Sequence, residues 1–328
     1  MPANLPPEYH DAEKRYREAR TPQEKIEVLE EMLAIIPKHK GTEHLIGDLR
    51  RRIAKQKAEA QKKGVRKGFA IYVEKEGAGQ VVLVGPPNSG KSTIVGFLTN
   101  AKVEVAEYPF ATRKPVAGMM PFENIQIQLV DLPPISTEHM EPWVLSLVRP
   151  ADLVLFIVDL ASDSLLEEIV LVEEVLGRAR IDLVGAGPTP PPAEPGRVVK
   201  KTLLVGNKLD EKGAEEASMI LQELYGQRFP ILTISALDGA HLEVLRRRIY
   251  EGLGIVRVYT KAPGRPPAMS VPVVLPQRST ILDVAESIHK DFAEQLKFAR
   301  VWGQGKYDGQ RVNRDYVVQE GDIIELHI

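Results

Sequence analysis

The sequence predicts an α/β fold with a mostly parallel sheet, preceded by a small helical domain and followed by a compact α+β unit. Three observations point there. Residues 81–98, VVLVGPPNSGKSTIVGFL, read as a buried strand, a glycine loop and the start of a helix. Apolar strand patterns then alternate with helical ones as far as the helical stretch 240–252, the order that builds a parallel sheet covered on both faces. After Ile255 the pattern changes to short strands around one helix. The implied domains are 1–67 (helical), 68–260 (α/β) and 268–328 (α+β), with the Pro/Gly-rich stretch Lys261 to Pro267 as linker.

Composition narrows the class. At 328 residues the chain has room for two or three domains. Lys and Arg number 43 against 45 Asp and Glu, so no global field advertises nucleic acid or an acidic membrane. With no cysteine, disulfides, cysteine-zinc sites and thiol catalysis are excluded. No apolar run reaches the roughly 18 residues of a membrane helix. The N-terminal MPANLPPEYHDAEKRYREAR lacks an apolar signal core. A soluble, cytoplasmic protein with no membrane partner is the expectation.

In the N-terminal region, Thr21-Pro22-Gln23-Glu24 reads as a capping box with proline at the first helical position. Ile26, Leu29, Leu33 and Ile36 give one apolar face, stopped by Pro37. Thr42 can cap a second helix carrying Leu45, Leu49 and Ile53. That helix runs into a basic stretch with Arg50, Arg51, Arg52, Lys55, Lys57, Lys62, Lys63, Arg66 and Lys67. The stretch reads either as a solvated face and linker or as a phosphate-contacting surface for RNA.

Residues 68–79 form an extended lead-in to the glycine loop. Gly85-Pro86-Pro87-Asn88-Ser89-Gly90-Lys91-Ser92 fits G-x-x-x-x-G-K-[ST], and its strand–loop–helix setting identifies a P-loop. Its glycines, Gly85 and Gly90, let the backbone wrap phosphates with its N–H groups inward, and the helix starting near Thr93 adds partial positive charge. Lys91 reaches the β- and γ-phosphates, and the Ser92 hydroxyl is placed for Mg²⁺. Residues 125–131 alternate and deliver Asp131 to a strand end. Residues 153–160 (LVLFIVDL) are a buried strand, 164–177 a helix and 185–196 a proline-rich surface loop. KTLLVGNKLD is a strand with a polar tip, 213–225 a helix and ILTISA a strand. Leu242, Leu245 and Ile249 mark one face of the helix at 240–252.

In the last unit VPVVL is a strand, and Thr280 with Asp283 starts a helix faced by Ile281, Val284, Ala285, Ile288 and Phe292. Strands follow at ARVWG, RVNR, YVV and DIIELHI.

Asn207-Lys208-Leu209-Asp210 selects the base. The Asp210 carboxylate can accept two hydrogen bonds from guanine N1–H and its 2-amino group, whereas adenine would leave it unpaired. Sites of this kind can reject the wrong partner by about 10⁴ or more. Asn207 can bond the other edge of the base or tie its loop to the P-loop, and the Lys208 stem can lie over the ring. Ser235-Ala236-Leu237 can offer backbone N–H groups to guanine O6. A P-loop roughly 120 residues upstream turns this weak motif into a guanine site.

These residues resemble a translation-factor-type GTPase of the Obg-related branch, most closely the developmentally regulated GTP-binding proteins. Tyr108-Pro109-Phe110-Ala111-Thr112 resembles the first switch of that branch, and KHKGTEHLIGDLRRRIAKQK its N-terminal helical segment. The C-terminal IHKDFAEQLKFARVWGQ, QRV and EGDIIELHI resemble the TGS domain, a ubiquitin-like β-grasp module. The resemblance spans nearly the whole chain. It implies GTP and GDP as ligands, with Ser92 and Thr112 as direct Mg²⁺ ligands and Asp131 acting through water. Thr112 would also report the γ-phosphate. Relatives with asparagine at the Asn88 position bind K⁺ beside the phosphates, so Asn88, Lys91 and Thr112 become the catalytic candidates and K⁺ a candidate cofactor. Arg113 and Lys114 are alternative sources of charge, while His139 and His241 receive no role.

Two departures from the family pattern stand out. The second switch reads Asp131-Leu132-Pro133-Pro134, with Pro134 where relatives carry a glycine whose N–H senses the γ-phosphate. Ile135 stands where small GTPases often place a water-orienting glutamine. The leading expectation is a slow GTP-hydrolysing switch acting on the ribosome or an RNA-bound assembly through the basic helices and the TGS module. The alternative is a guanine-nucleotide module regulated by a protein partner, with little hydrolysis.

Overall fold

The computed structural model describes residues 9, 12, 14–16, 22–36, 46–49, 51–53, 73–99, 104–105, 115–136, 142–185, 192, 194–304 and 307–328. The chain divides into two compact units, residues 1–70 and 71–328.

The first unit is helical, with α1 at Pro22–Ile35 and further helical turns at 46–49 and 51–53. Leu29, Ile36, Leu49 and Ile53, expected as core, are buried there with Tyr9, Ala12 and Met32. Arg51 and Arg52 are exposed, and Arg51 pairs with Asp48 at 3.3 Å. Thr21, Thr42 and the basic residues from Lys55 to Lys67 lie outside the described residues.

The second unit contains two sheets. Strands β1 (Gln80–Val84), β2 (Glu104–Val105), β3 (Val116–Phe122), β4 (Ile125–Asp131), β5 (Leu153–Asp159), β6 (Ile181–Val184) and β7 (Val198–Asn207) lie in the order β2-β3-β4-β1-β5-β7-β6, and β8 (Ile231–Thr233) pairs with β7. Pairing is parallel except at β2–β3 and β3–β4. Alternation of side chains splits the core in two. Val82, Val84, Val154 and Phe156 face α3 (Pro142–Val148) and α4 (Leu165–Arg178), with Leu221 of α5 (Ala214–Tyr225) in the same cluster. Val81, Leu83, Leu155 and Ile157 face α2 (Lys91–Leu98) and α6 (Leu242–Leu253). Register pairs Leu83 with Asp131 and Asp159 with Asn207, which brings the polar tips to one edge of the sheet.

Strands β2, β3 and β6 are not expected from the sequence pattern. Gly118 and Pro121 mask the strand pattern of β3, and β6 is only four residues, IDLV.

The second sheet has the order β10-β9-β13-β11-β12, from β9 (Ile255–Thr260), β10 (Val273–Pro276), β11 (Phe298–Trp302), β12 (Gln310–Val312) and β13 (Ile323–His327). Strand β9 is antiparallel to β10 and parallel to β13. This corrects the expected boundaries: 255–260 belongs to the C-terminal sheet and not to the α/β domain ending at 260. The apolar run after Gly254 could serve either sheet, and only its partners decide. The single expected helix is two, α7 (Ile281–Ile288) and α8 (Lys290–Gln295), because His289 is extended between them. The capping box forms: Thr280 N–H donates to Asp283 Oδ2 at 2.6 Å and Asp283 N–H to Thr280 Oγ1 at 3.4 Å. The expected strand YVV contributes only a bridge from Val317 to Thr280. No helix among the described residues is long and apolar enough to cross a membrane.

Candidate functional site

The site grows from the end of β1. Val81 to Val84 are fully buried, so the following loop starts from a rigid point. Gly85 has φ 155°, and a Cβ there would lie 2.1 Å from the Ile157 carbonyl oxygen. Gly90 has φ 88°, and a Cβ would lie 2.2 Å from Asn207 Nδ2. Both positions exclude any side chain, which is why the loop can pass between β5 and the tip of β7. Asn88 also takes a left-handed conformation, φ 60°, and its side chain is exposed. Ser89 is fully buried, and its hydroxyl donates to the Pro86 carbonyl at 3.0 Å.

Lys91 opens α2 and turns back over the loop. Its ammonium donates to the carbonyl oxygens of Pro86 at 2.7 Å and Gly85 at 3.2 Å, and to Ser89 Oγ at 3.3 Å. Burial brings its pKa down to about 8, against the opposing pull of Asp131. Asp131 is shifted upward by burial, with the Ser92 hydrogen bond and the Lys91 charge working the other way. Ser92 Oγ donates to Asp131 Oδ2, while Asp131 Oδ1 is buried without a hydrogen-bond partner among the described residues. An orphaned carboxylate oxygen beside a hydroxyl is an oxygen donor set that fits a hard divalent cation. A cavity of about 570 Å³ lies here, lined by Asn88, Gly90, Lys91, Ser92, Thr93, Asp131 and Pro134 among others.

The second switch is fastened to the loop. Pro134 has no N–H. The next donor, Ile135 N–H, is committed to the Gly85 carbonyl at 3.0 Å, and Ile135 is fully buried.

The base side is built on Asn207, at the C-terminal end of β7. Of the two roles open to it, the structure selects the tie. Its Nδ2 donates to the Ser89 carbonyl at 2.9 Å, and its Oδ1 accepts from Ala236 N–H at 3.0 Å. One buried side chain thus joins the P-loop to the loop after β8. Lys208 has φ 66°, and its ammonium pairs with Asp159, which also accepts from Ala161 N–H at 2.9 Å. Asp210 is exposed. Leu209 N–H donates to the Ile234 carbonyl at 2.9 Å, holding the two loops side by side. Ser235 and Ala236 are buried, and their N–H groups are engaged by Ala240 O and Asn207 Oδ1. Leu237 is exposed and its N–H has no acceptor among the described residues.

The structure therefore brings Gly85, Asn88, Ser89, Gly90, Lys91, Ser92, Thr93, Asp131, Asn207, Lys208, Asp210 and Ser235–Leu237 to one edge of the sheet. Thr112, Arg113, Lys114 and His139 lie outside the described residues. His241 has a structural place: it caps α6 at φ 62° with Nδ1 within 2.8 Å of the Thr233 carbonyl. Sequence reasoning missed Asp159. Its signal was the lone carboxylate ending the apolar strand LVLFIVD, in register with Asn207.

Comparison with known proteins agrees with this geometry. Residues 80–184 match the family model described as 50S ribosome-binding GTPase, and residues 256–328 match the TGS domain. An uncharacterized GTP-binding protein of Methanocaldococcus jannaschii is 31% identical, covering 93% of each chain. Human developmentally-regulated GTP-binding protein 2 is 26% identical over 92% of this chain and 98% of its own. The solved structure of a GTP binding protein from Pyrococcus horikoshii shares the fold, with TM-score 0.52 at 17% identity over 76% of this chain and 99% of that one. With a P-loop, the Asn207–Asp210 loop tied to it by Asn207 and a TGS module in one chain, this protein belongs to the Obg-related family of GTP-binding proteins that includes the developmentally regulated ones.

Proposed function

We propose that the protein is a slow, Mg²⁺-dependent GTPase switch that acts on the ribosome or an RNA-bound assembly. The observation that supports it most is the Asp131 carboxylate, one oxygen bonded to the Ser92 hydroxyl and the other without a partner among the described residues, lining the same cavity of about 570 Å³ as Lys91. Ser92 and Thr112, with Asp131 through water, would hold Mg²⁺, which supplies neutralisation of charge on the β- and γ-phosphate oxygens. Lys91 binds the same oxygens with its ammonium. The backbone N–H groups around Ser89 to Ser92, at the N-terminus of α2, orient the phosphates. Asp210 accepts from guanine N1–H and the 2-amino group, and Leu237 N–H is free to donate to O6. The exposed Asn88 carbonyl suits a hard monovalent cation, the basis for proposing K⁺ as stimulator. The ribosome reading rests on the name of the matched family model and on the basic run Arg50 to Lys67.

GTP turnover in KCl against NaCl at matched ionic strength, with and without ribosomes, tests this. Stimulation by both K⁺ and ribosomes is expected. Equal rates in the two salts remove the K⁺ role, and no response to ribosomes removes the target.

A second reading, a partner-regulated module with little hydrolysis, is favoured by the second switch. With Pro134 unable to donate and Ile135 N–H held by Gly85, neither residue is available to the γ-phosphate. On this reading the wild-type protein binds a non-hydrolysable GTP analogue and GDP with similar affinity, and Pro134→Gly raises the preference for the analogue several-fold. A strong analogue preference in the wild type, measured by calorimetry, rejects it.

A further inference from the structure

We propose that a second ligand site, for a small phosphorylated molecule, lies at the seam between the GTPase sheet and the C-terminal module. A cavity of about 590 Å³ opens there, in the size range of small-molecule sites. It is lined by the start of β5 and the part of β7 paired with it, so it lies at the opposite edge of the parallel sheet from Lys91. Leu153, Leu203, Leu253 and Pro230 give it apolar walls, and Lys201, Arg248 and Arg278 bring three cations to it. Arg248 is answered by Glu251 at 3.3 Å. The side chains of Lys201 and Arg278 make no hydrogen bond or ion pair with any described residue.

The backbone around these two charges is built for closeness. Gly254 has φ 64° and ends α6, and a Cβ there would lie 2.8 Å from Lys201 Nζ. Arg278 itself is left-handed, φ 71°, a conformation that a non-glycine residue rarely adopts. It sits in the turn after β10, where Gln277 N–H donates to the Gly254 carbonyl at 2.8 Å and Ser279 N–H to the Pro276 carbonyl at 3.2 Å. That clamp fixes the turn of the C-terminal module against the end of α6, with Arg278 and Lys201 on one cavity. Two unanswered cations match the dianion of a phosphate monoester, and a guanidinium can bind two of its oxygens at once. The apolar walls accept an organic body. A ligand there touches both modules together.

The test uses the full chain saturated with GDP and Mg²⁺, so that the P-loop is occupied. Phenyl phosphate and inorganic phosphate are titrated by calorimetry into the wild type and a Lys201→Ala/Arg278→Ala variant. Saturable binding of phenyl phosphate is expected, tighter than inorganic phosphate, and weakened about tenfold or more in the variant. GDP affinity should not change in the variant. Competition with octauridylate distinguishes a small molecule from an RNA backbone: no displacement of phenyl phosphate is expected, and displacement overturns the small-molecule assignment. Absence of saturable phosphate binding, or equal binding by the variant, overturns the proposal. Lys201→Arg, which keeps the charge, should retain binding and separates loss of the site from loss of fold.

Discussion

Lys91 carries a conflict between burial and charge that, on the proposed function, predicts pH-dependent nucleotide binding. Its ammonium is buried among carbonyl oxygens, and its pKa in the free protein is down to about 8. Nucleotide phosphates favour the charged form and raise that value in the complex. As pH rises through 8 the free protein loses the proton and the complex keeps it. Binding above pH 8 therefore takes up a proton, and affinity falls by up to about tenfold per pH unit. Calorimetric GDP titration at pH 9, in two buffers of different ionisation enthalpy, should report uptake of nearly one proton. The same pair of titrations at pH 7 should report almost none, and Lys91→Met should abolish the uptake at pH 9. The same depression means that keeping Lys91 charged costs stability below pH 8, so stability from this residue rises between pH 8 and the ordinary lysine range.

At the scale of elements, the β3–β4 hairpin is joined to the C-terminal module by Arg257 of β9. The guanidinium binds Glu123 at 2.6 Å, Glu320 at 2.7 Å and Asn124 Oδ1 at 2.9 Å. It also lies 5.0 Å from the ring centre of Tyr250, which stacks on Phe122 at 4.7 Å. Burial alone would lower its pKa, but the hydrogen bonds of Glu123 and Glu320 carry it above the usual arginine range. Tyr250 is raised by its burial first, then by its bond to Glu320 at 2.7 Å. Arg257→Ala removes charged hydrogen bonds from a site where the arginine side chain is only 10% exposed. The acids stay partly in water, so the expected loss is about 2 kcal/mol. A lowered thermal midpoint, with faster proteolysis at 261–267, checks this. Arg257→Lys should recover part of the loss, because a lysine keeps the charge without the fork.

At the scale of the whole molecule, β9 decides where one module ends and the next begins. It lies between β10 and β13 and buries Val256 and Val258 in the C-terminal core. A fragment of residues 255–328 should fold cooperatively. The fragment 268–328 lacks the strand that joins β10 to β13, and it should show the poorly dispersed amide spectrum of an unfolded chain. Equal folding of the two fragments would mean that β9 is dispensable to that sheet.

Much of the candidate site was legible because it is local. The P-loop, Asn207-Lys208-Leu209-Asp210 and Asp131 each follow a short apolar strand, and residue types with fixed spacing carry their chemistry. The Thr280–Asp283 capping box was legible for the same reason, since both partners lie within one helical turn. What the sequence could not decide depends on partners distant in the chain. Asn207 had two possible roles, and only contact with Ser89 and Ala236 chose the tie. Asp159 gained a role only when strand register set it beside Lys208. The run Ile255–Thr260 is apolar enough for either sheet, and pairing with β10 and β13 assigned it to the second. Arg257 became a link between modules only because folding brought Glu123 and Glu320 to it from opposite sides. Local spacing thus determined which functional groups the chain offers at the candidate site, and tertiary packing decided which of them remain free, because a hydrogen bond or charge has a role only once its partner is known.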